Sequence, residues 1–291
     1  MNDTLIDFTI GTDPEFACVD KNNEIICADE VFGNDEDTED EGEAGIELGA
    51  DGNGTTFEIR PSPSKCPLKV IQNIHDIFVR QVIEKPEFMG YKWIAGSWHG
   101  GYPLGGHVHF GINGRQMNHA DAVNILDHYV GVVSLLMEIK AHGLSRRQDG
   151  YGVMGDMRDQ PWGFEYRPMS SWLGSPYIAA AIMCLSKTVM YELLNNKKFE
   201  WHKFAQPDDF SKMDTTRVLA QFPNIWSDIV KMHLYQKYKP YIDIIYFIIK
   251  NNLTWTPAKG MKESWGVVDM LPCITSKIGM DILWYRFNIE A

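Results

Sequence analysis

Four short stretches of the chain each carry two polar residues spaced by two: Asp13 and Glu15, Glu58 and Arg60, His107 and His109, Glu165 and Arg167. In a β-strand, residues i and i+2 lie on one side of the sheet, so each pair presents its side chains together while neighbours such as Val108 and Phe110 point the other way. A single pair of this kind needs no more than a wet sheet face. Four pairs of carboxylates, imidazoles and guanidiniums, each set among apolar residues, imply one shared polar face. With Asp51 added, the set carries five negative and two positive charges when the histidines are neutral. Crowded carboxylates repel by ~4 kcal/mol per close pair at an effective dielectric near 20, and burying them unpaired costs more. One or two divalent cations would supply the three missing positive charges.

Oxygen-dominated donors with a single imidazole favour Mg2+ or Mn2+ over zinc, which prefers more nitrogen or sulfur. Magnesium keeps waters and phosphates in its shell, so such a face points to nucleotide chemistry. No Walker-type G-x-x-x-x-G-K-[ST] run is present, and no dinucleotide-binding fingerprint is expected, which leaves metals and arginines to hold phosphates.

Strands must carry these residues, and the first 120 residues read mainly as strands and turns. Strands are predicted over 5–20, 23–28, 54–61, 91–98 and 107–112, rich in β-branched and aromatic residues and separated by Gly, Asn and Asp; another over 163–172 ends at Pro168. Helices are predicted over 66–85, with Ser64 as cap and Pro67 in the first turn, and over 118–143, with Asn118 as cap and Gly143 as stop. Two more follow over 176–195 and 225–251. The aromatic run 234–250 has a wide apolar face and reads as a core helix broken near Pro240, or as an oligomer contact.

Composition narrows the function classes. The 291 residues are 44% hydrophobic and 12% aromatic, enough for a substantial core. Five cysteines, at 18, 27, 66, 184 and 273, are odd in number and without a C-x-x-C pair, which argues against disulfides and thiolate metal sites. The net charge of -12 is uneven: residues 1–60 hold 18 acidic against 2 basic side chains, leaving +4 for the rest. Much of the acidity lies in 34–47, read as a solvated loop. No basic face suited to a nucleic-acid backbone is apparent. The N-terminus lacks the basic and apolar regions of a signal peptide, and no apolar run approaches the ~18 residues of a membrane span, so a cytoplasmic protein with no membrane partner is expected. Trp162, Tyr166 and Trp172 read as core or rim packing before an adenine platform, and His99 and His142 as ordinary. Arg60 could also pair with the acidic N-terminal region.

The segments GTDPEF (11–16), GADGNGTTFEIRP (49–61), GGHVHFG (105–111) and GDMRDQPWGFEYRPMSSWL (155–173) resemble, in order and residue type, the motif set of the phage-type COOH-NH2 ligases, type 2. These amidoligases belong to the glutamine synthetase and glutamate-cysteine ligase superfamily. The matching segments span roughly residues 5–173, and the rest of the chain matches nothing specific. The resemblance implies an α+β fold: a curved, mainly antiparallel sheet with its polar active face inward and helices packed outside. It implies one catalytic domain over 1–291, with the acidic loop at 34–47 and a helical part from about 176.

By the same resemblance, Asp13 and Glu15 supply a ligand to each of two metals, and Glu58 with Asp51 completes one site, Glu47 being an alternative to Asp51. His107 binds the second metal, His109 contacts nucleotide phosphate, and Glu165 is a further ligand. Arg158 and Arg167 clamp phosphate and, with Arg60, make up the catalytic arginines. The implied activity is ATP-dependent amide or isopeptide formation through an acyl phosphate, with two or more Mg2+ or Mn2+ ions. Its substrates would be a small-molecule or peptide carboxylate and an amine, a nucleic acid entering only as a modified base. An oligomer is compatible with the resemblance, and the setting would be the cytoplasm of a phage-infected bacterium. No general base is singled out; an acidic side chain of the 34–47 loop, closing over the site, is one option. The alternatives are a metal-dependent kinase on the same scaffold and a catalytically inactive ligand-binding relative.

Overall fold

Pro14 divides the first predicted strand. Proline offers no N–H to a ladder, and here Asp13 and Pro14 form the corner between β1 (Thr9–Thr12) and β2 (Glu15–Val19), which belong to different sheets. The computed structural model describes residues 5–32, 47–85, 88–112, 117–255 and 260–266. The expected acidic loop spans 34–47, of which only Glu47 is described; Cys273 also lies outside the described residues.

After β2 come β3 (Ile25–Ile26), α1 (Ala28–Phe32), β4 (Leu48–Ala50) and β5 (Phe57–Ile59). Helix α2 (Pro67–Phe78) continues as a π-helical turn through Ile83. Then follow β6 (Lys92–Ile94), β7 (Trp98–His99), β8 (Tyr102–Pro103) and β9 (Val108–Gly111). Helix α3 (His119–Leu126) passes through a π turn, Asp127–Gly131, into α4 (Val132–Met137), and α5 (Lys140–Gln148) precedes the hairpin β10 (Met157–Gln160) and β11 (Gly163–Tyr166). The remaining described elements are helical: α6 (Pro176–Asn195), α7 (Pro207–Ser211), α8 (Thr215–Ile229), α9 (Tyr235–Lys250) and α10 (Met261–Trp265).

Every strand pairing is antiparallel, and the sheets form a curled half-barrel, as the α+β expectation required. One sheet has the order β1-β9-β11-β10; the other runs β3-β2-β5-β4, with β6 also paired to β2. Register builds two polar rows. In the first sheet His109 stands opposite both Gly11 and Glu165, and Glu165 opposite Arg158. In the second, Glu58 stands between Glu15 and Gly49. The alternate residues Val108, Phe110, Phe164 and Tyr166 are fully buried. Helix α2 buries Val70, Ile71, Ile74, Ile77 and Phe78 on one stripe and packs on α6 and β1. Each such side chain contributes about 2 kcal/mol on burial, so the core fixes which face of each strand is left for the polar rows.

Several boundaries differ from expectation. Cys66, not Ser64, is the N-cap residue of α2; the Ser64 hydroxyl accepts from the Cys66 N–H one step earlier. Asn118 caps α3 as expected, accepting from Ala120 N–H at 3.1 Å. That helical run ends at Met137 instead of Gly143, because Glu138 turns into extended backbone with its carboxylate bound to Arg147. Gly143 lies inside α5, where a Cβ would come within 2.6 Å of Glu138 Oε2. The helix expected over 225–251 is two helices, α8 and α9. Pro240 does not break α9, whose face of Tyr238, Tyr241, Ile242, Ile245 and Ile249 is held in the core against α6.

The run Gly150-x-Gly152-x-x-Gly155 has the dinucleotide-fingerprint spacing that was not expected, but it follows a helix and precedes a strand, the reverse of the required context. Its three glycines have φ of 92°, 71° and 87° and shape the loop before β10. Two helical runs, His119–Met137 and Pro176–Asn195, are long and apolar enough to cross a membrane, contrary to expectation; 72% and 83% of them is buried inside the protein, which marks core helices.

Candidate active site and metal centre

The corner at Asp13 brings the two polar rows together. His107 Nδ1 lies 3.0 Å from Glu165 Oε1 and 3.3 Å from Asp13 Oδ1, and its Nε2 lies 3.9 Å from Glu15 Oε1. His109 Nε2 is 3.1 Å from Asp13 Oδ2. The two imidazoles therefore share a side of β9 and meet the same carboxylate, as an i, i+2 pair must. Glu15 is fixed from behind by the Gly105 N–H, 2.7 Å from Oε2.

The arginines are arranged differently from one another. Arg60 grips Glu58 with Nε at 3.0 Å and donates to the Ala50 carbonyl at 2.8 Å. Arg167 donates to Glu165 Oε1 at 2.7 Å and lies 3.6 Å from Asp156. Arg158 is more than half exposed, with Nη1 3.7 Å from Glu165 Oε2. Asp51 is not joined to the cluster by a direct bond: its carboxylate accepts from Asn53 and Thr56 in its own turn, although its charge is felt at Glu15 and Glu58. Glu47 points away, to Arg80 and Gln81 on the outer helical layer, so it does not substitute for Asp51.

Electrostatics refine the charge count made from sequence. Burial works against a charged His107, but Asp13, Glu165 and Glu15 overcome it and push the imidazole up to about 10. The surrounding carboxylates thus favour the protonated imidazole, which would offset one of their charges. Burial also opposes ionised Asp13, yet the imidazoles of His109 and His107 hold it well below the usual carboxylate range. Burial pushes Glu15 up to about 7, with His107 opposing and Asp51 adding. Glu58 is raised well above its ordinary value by burial and by Asp13, against the pull of Arg60. Protons on Glu15, Glu58 and His107 and bound cations would therefore relieve the same crowding.

A cation nevertheless fits. Asp13, His109 and Glu165 each offer a ligand atom within 4.8 Å of the other two. Asp13 Oδ1 and His109 Nε2 are buried, and their neighbours, His107 Nδ1 at 3.3 Å and Asp13 Oδ2 at 3.1 Å, lie outside regular hydrogen-bond geometry. Two carboxylates and one imidazole are the hard, oxygen-rich donor set suited to Mg2+ or Mn2+.

Sequence reasoning passed over two contributors: Asp156 braces Arg167, and buried Asp127 holds the loop before β10. Trp162 stands 36% exposed at the rim, as expected, its ring centroid 5.3 Å from that of His109. Asp156 lies within the 155–173 motif; Asp127 lies in an apolar helical run with no signal to separate it. Tyr166 and Trp172 are core residues, as expected.

Among solved structures, the chain is similar to a bifunctional glutathione synthetase from Pasteurella multocida (11% identity, TM-score 0.43), covering 87% of this chain and 50% of that one. Ligand-free GmaS (13% identity, TM-score 0.46) is covered over 72% of its length and 87% of this chain; a glutamine synthase homologue (15% identity, TM-score 0.39) over 70% and 84%. The chain thus spans half the length of the Pasteurella enzyme. No curated protein matches it. Residues 10–267 match the model of one family, well beyond the 5–173 span read from the motifs, and the chain belongs to that family, the phage phiEco32-like COOH-NH2 ligases of type 2, which are ATP-dependent amidoligases.

Proposed function

We propose that the protein joins a carboxylate to an amine at the expense of ATP, on the face formed by Asp13, Glu15, Glu58, His107, His109 and Glu165. The observation that carries this reading is the convergence of these six side chains around Asp13, whose two oxygens lie 3.3 Å from His107 Nδ1 and 3.1 Å from His109 Nε2. Asp13, His109 and Glu165 would hold one Mg2+ or Mn2+, and Glu15 and Glu58, cross-strand neighbours, would face a second. Such ions would neutralise the phosphate oxygens of ATP and the charge that builds on them during transfer.

The chain's own groups supply the rest. Arg158, half exposed beside Glu165, is free to reach a phosphate oxygen. Arg167 and Arg60 keep Glu165 and Glu58 in place, and His107 lies within 4 Å of the carboxylates of Asp13, Glu15 and Glu165. In the first step the substrate carboxylate attacks the γ-phosphorus and ADP leaves; in the second the amine displaces phosphate from the acyl phosphate and loses a proton. Arg158 acts where negative charge develops, and removing one such contact costs about 3 kcal/mol of barrier, roughly a hundredfold. Asp51 contributes a field and not a bond.

The test is ADP release with Mn2+ and paired panels of carboxylates and amines. Release that needs both substrates and is lost in Glu165→Ala supports the reading. A stable phosphorylated product without amide would reassign the protein to the kinases. Failure of the intact protein to bind Mn2+ or ATP by calorimetry would refute the proposal.

A further inference from the structure

The two carboxylate oxygens of Asp127 reach the segment that carries Glu165 and Arg167 and the loop that braces Arg167. Oδ1 accepts from the Tyr166 hydroxyl and Oδ2 from the Gly155 N–H, each at 2.8 Å. Tyr166 lies between Glu165 and Arg167 in β11, its ring on the buried side. Gly155 precedes Asp156, whose carbonyl accepts from Arg167 N–H at 3.1 Å and whose carboxylate lies 3.6 Å from Arg167 Nε. One buried side chain, 1% exposed, thus ties β11, which bears Glu165 and leads directly into Arg167, to the loop that braces Arg167 from the other side.

The helix is built to present that side chain. Asp127 opens the π turn Asp127–Gly131, and π turns inside α-helices mark places where the helix is locally widened at a cost in its own hydrogen bonding. The turn closes on Gly131, where a Cβ would come within 2.5 Å of the Tyr166 hydroxyl. The glycine leaves room for Tyr166 to reach across the helix to Asp127. A carboxylate in the middle of an apolar helix is destabilising unless fully bonded, and here both oxygens are engaged, one on each segment.

We infer that Asp127 is the positioning residue of the active face: it fixes Glu165 and Arg167 relative to Asp13 by clamping Tyr166 and Gly155 at once. The inference rests on the proposed site for its importance to catalysis, but its structural part stands independently. A clamp of this kind is replaceable by asparagine, whose amide oxygen can accept from Gly155 N–H while its NH2 donates to the tyrosine oxygen. It is not replaceable by alanine.

Hydrogen–deuterium exchange separates the two readings. In Asp127→Ala, amides of 153–167 are expected to exchange at least tenfold faster, with those of α6 unchanged, and Mn2+ affinity by calorimetry to fall at least tenfold. Asp127→Asn is expected to restore both to within about threefold of the parent protein. Tyr166→Phe, which keeps the fold and removes one arm, is expected to give an intermediate acceleration even where the alanine variant is too unstable to purify. Unchanged exchange over 153–167 in either Asp127→Ala or Tyr166→Phe overturns the inference. A parent protein that binds no Mn2+ counts against the proposed function, and the exchange data still decide on Asp127.

Discussion

Glu15 and Glu58 stand directly opposite one another on β2 and β5, both buried to 8% exposure. Like charges in register on neighbouring strands destabilise a sheet, so this pair is retained against stability. Burial pushes Glu15 up to about 7 and raises Glu58 well above its ordinary range.

At a pH where Glu15 and Glu58 are both ionised, Glu58→Gln should therefore gain up to about 1 kcal/mol of stability, while losing activity. For Glu15 the sign is explicit. Its folded value lies above the unfolded one of 4.5, so the folded state holds a proton that the unfolded chain releases, and stability falls as pH rises from 4.5 to about 7. Saturating Mn2+ should raise the melting temperature of the parent protein at pH 7.5 and raise that of Glu58→Gln less. Equal metal-induced shifts in the two proteins would remove Glu58 from the site.

The spacing-two pairs made the polar face legible because alternation along a strand is a local rule. The reading missed what depends on contacts between distant segments. Pro14 as the corner between sheets was in the sequence, since proline cannot pair within a strand, but the meeting of Asp13 with both histidines required the register of β1 on β9. Glu138 looked like a helical residue, and only its partner Arg147 nine positions on explains why the helix ends before it. Asp127 was illegible for the same reason: its two partners are 28 and 39 residues away.

The Glu138–Arg147 pair gives a stability prediction away from the chemistry. Both side chains are wholly buried, with two hydrogen bonds of 2.8 and 3.0 Å, and Ser97 Oγ donates to the same carboxylate. Breaking such a pair leaves a buried charge uncompensated and costs roughly 3–5 kcal/mol, whereas replacing both partners by apolar residues costs less. Arg147→Met should lower the urea midpoint sharply, and Arg147→Met with Glu138→Leu should recover part of the loss. A double variant less stable than the single one contradicts the argument.

His128 is expected to contribute to acid sensitivity. Burial, with Lys203 and Arg217 adding, lowers its imidazole to about 4. Nδ1 accepts from the N–H groups of Phe204 and Ala205, which requires it unprotonated. Below the unfolded value of 6.5 the unfolded chain takes up a proton that the folded protein refuses until about pH 4, so stability contributed by this group is lost as pH falls through that window. Asparagine can supply the same acceptor without titrating. The difference in urea midpoint between the parent protein and His128→Asn should therefore shrink, or reverse, from pH 7.5 to pH 5. A difference independent of pH would show that His128 is not the titrating group.

Arg167 separates charge from geometry at the active face. Its Nη1 donates to Glu165 Oε1 while Nε faces Asp156, so one planar guanidinium spans two carboxylates on different segments. A lysine keeps the charge but presents a single ammonium, which cannot hold both partners in that fork geometry. Arg167→Lys should therefore leave the fold and melting temperature nearly unchanged while Glu165 loses its fixed orientation. The expected result is a fall in kcat of about a hundredfold, the scale found when one positioned charge contact is removed, with a smaller change in KM for ATP. If Arg167 served only to neutralise Glu165, the lysine variant would keep kcat within a few-fold of the parent. Steady-state ADP release at saturating Mn2+, with a carboxylate and an amine that the parent protein accepts, distinguishes the two.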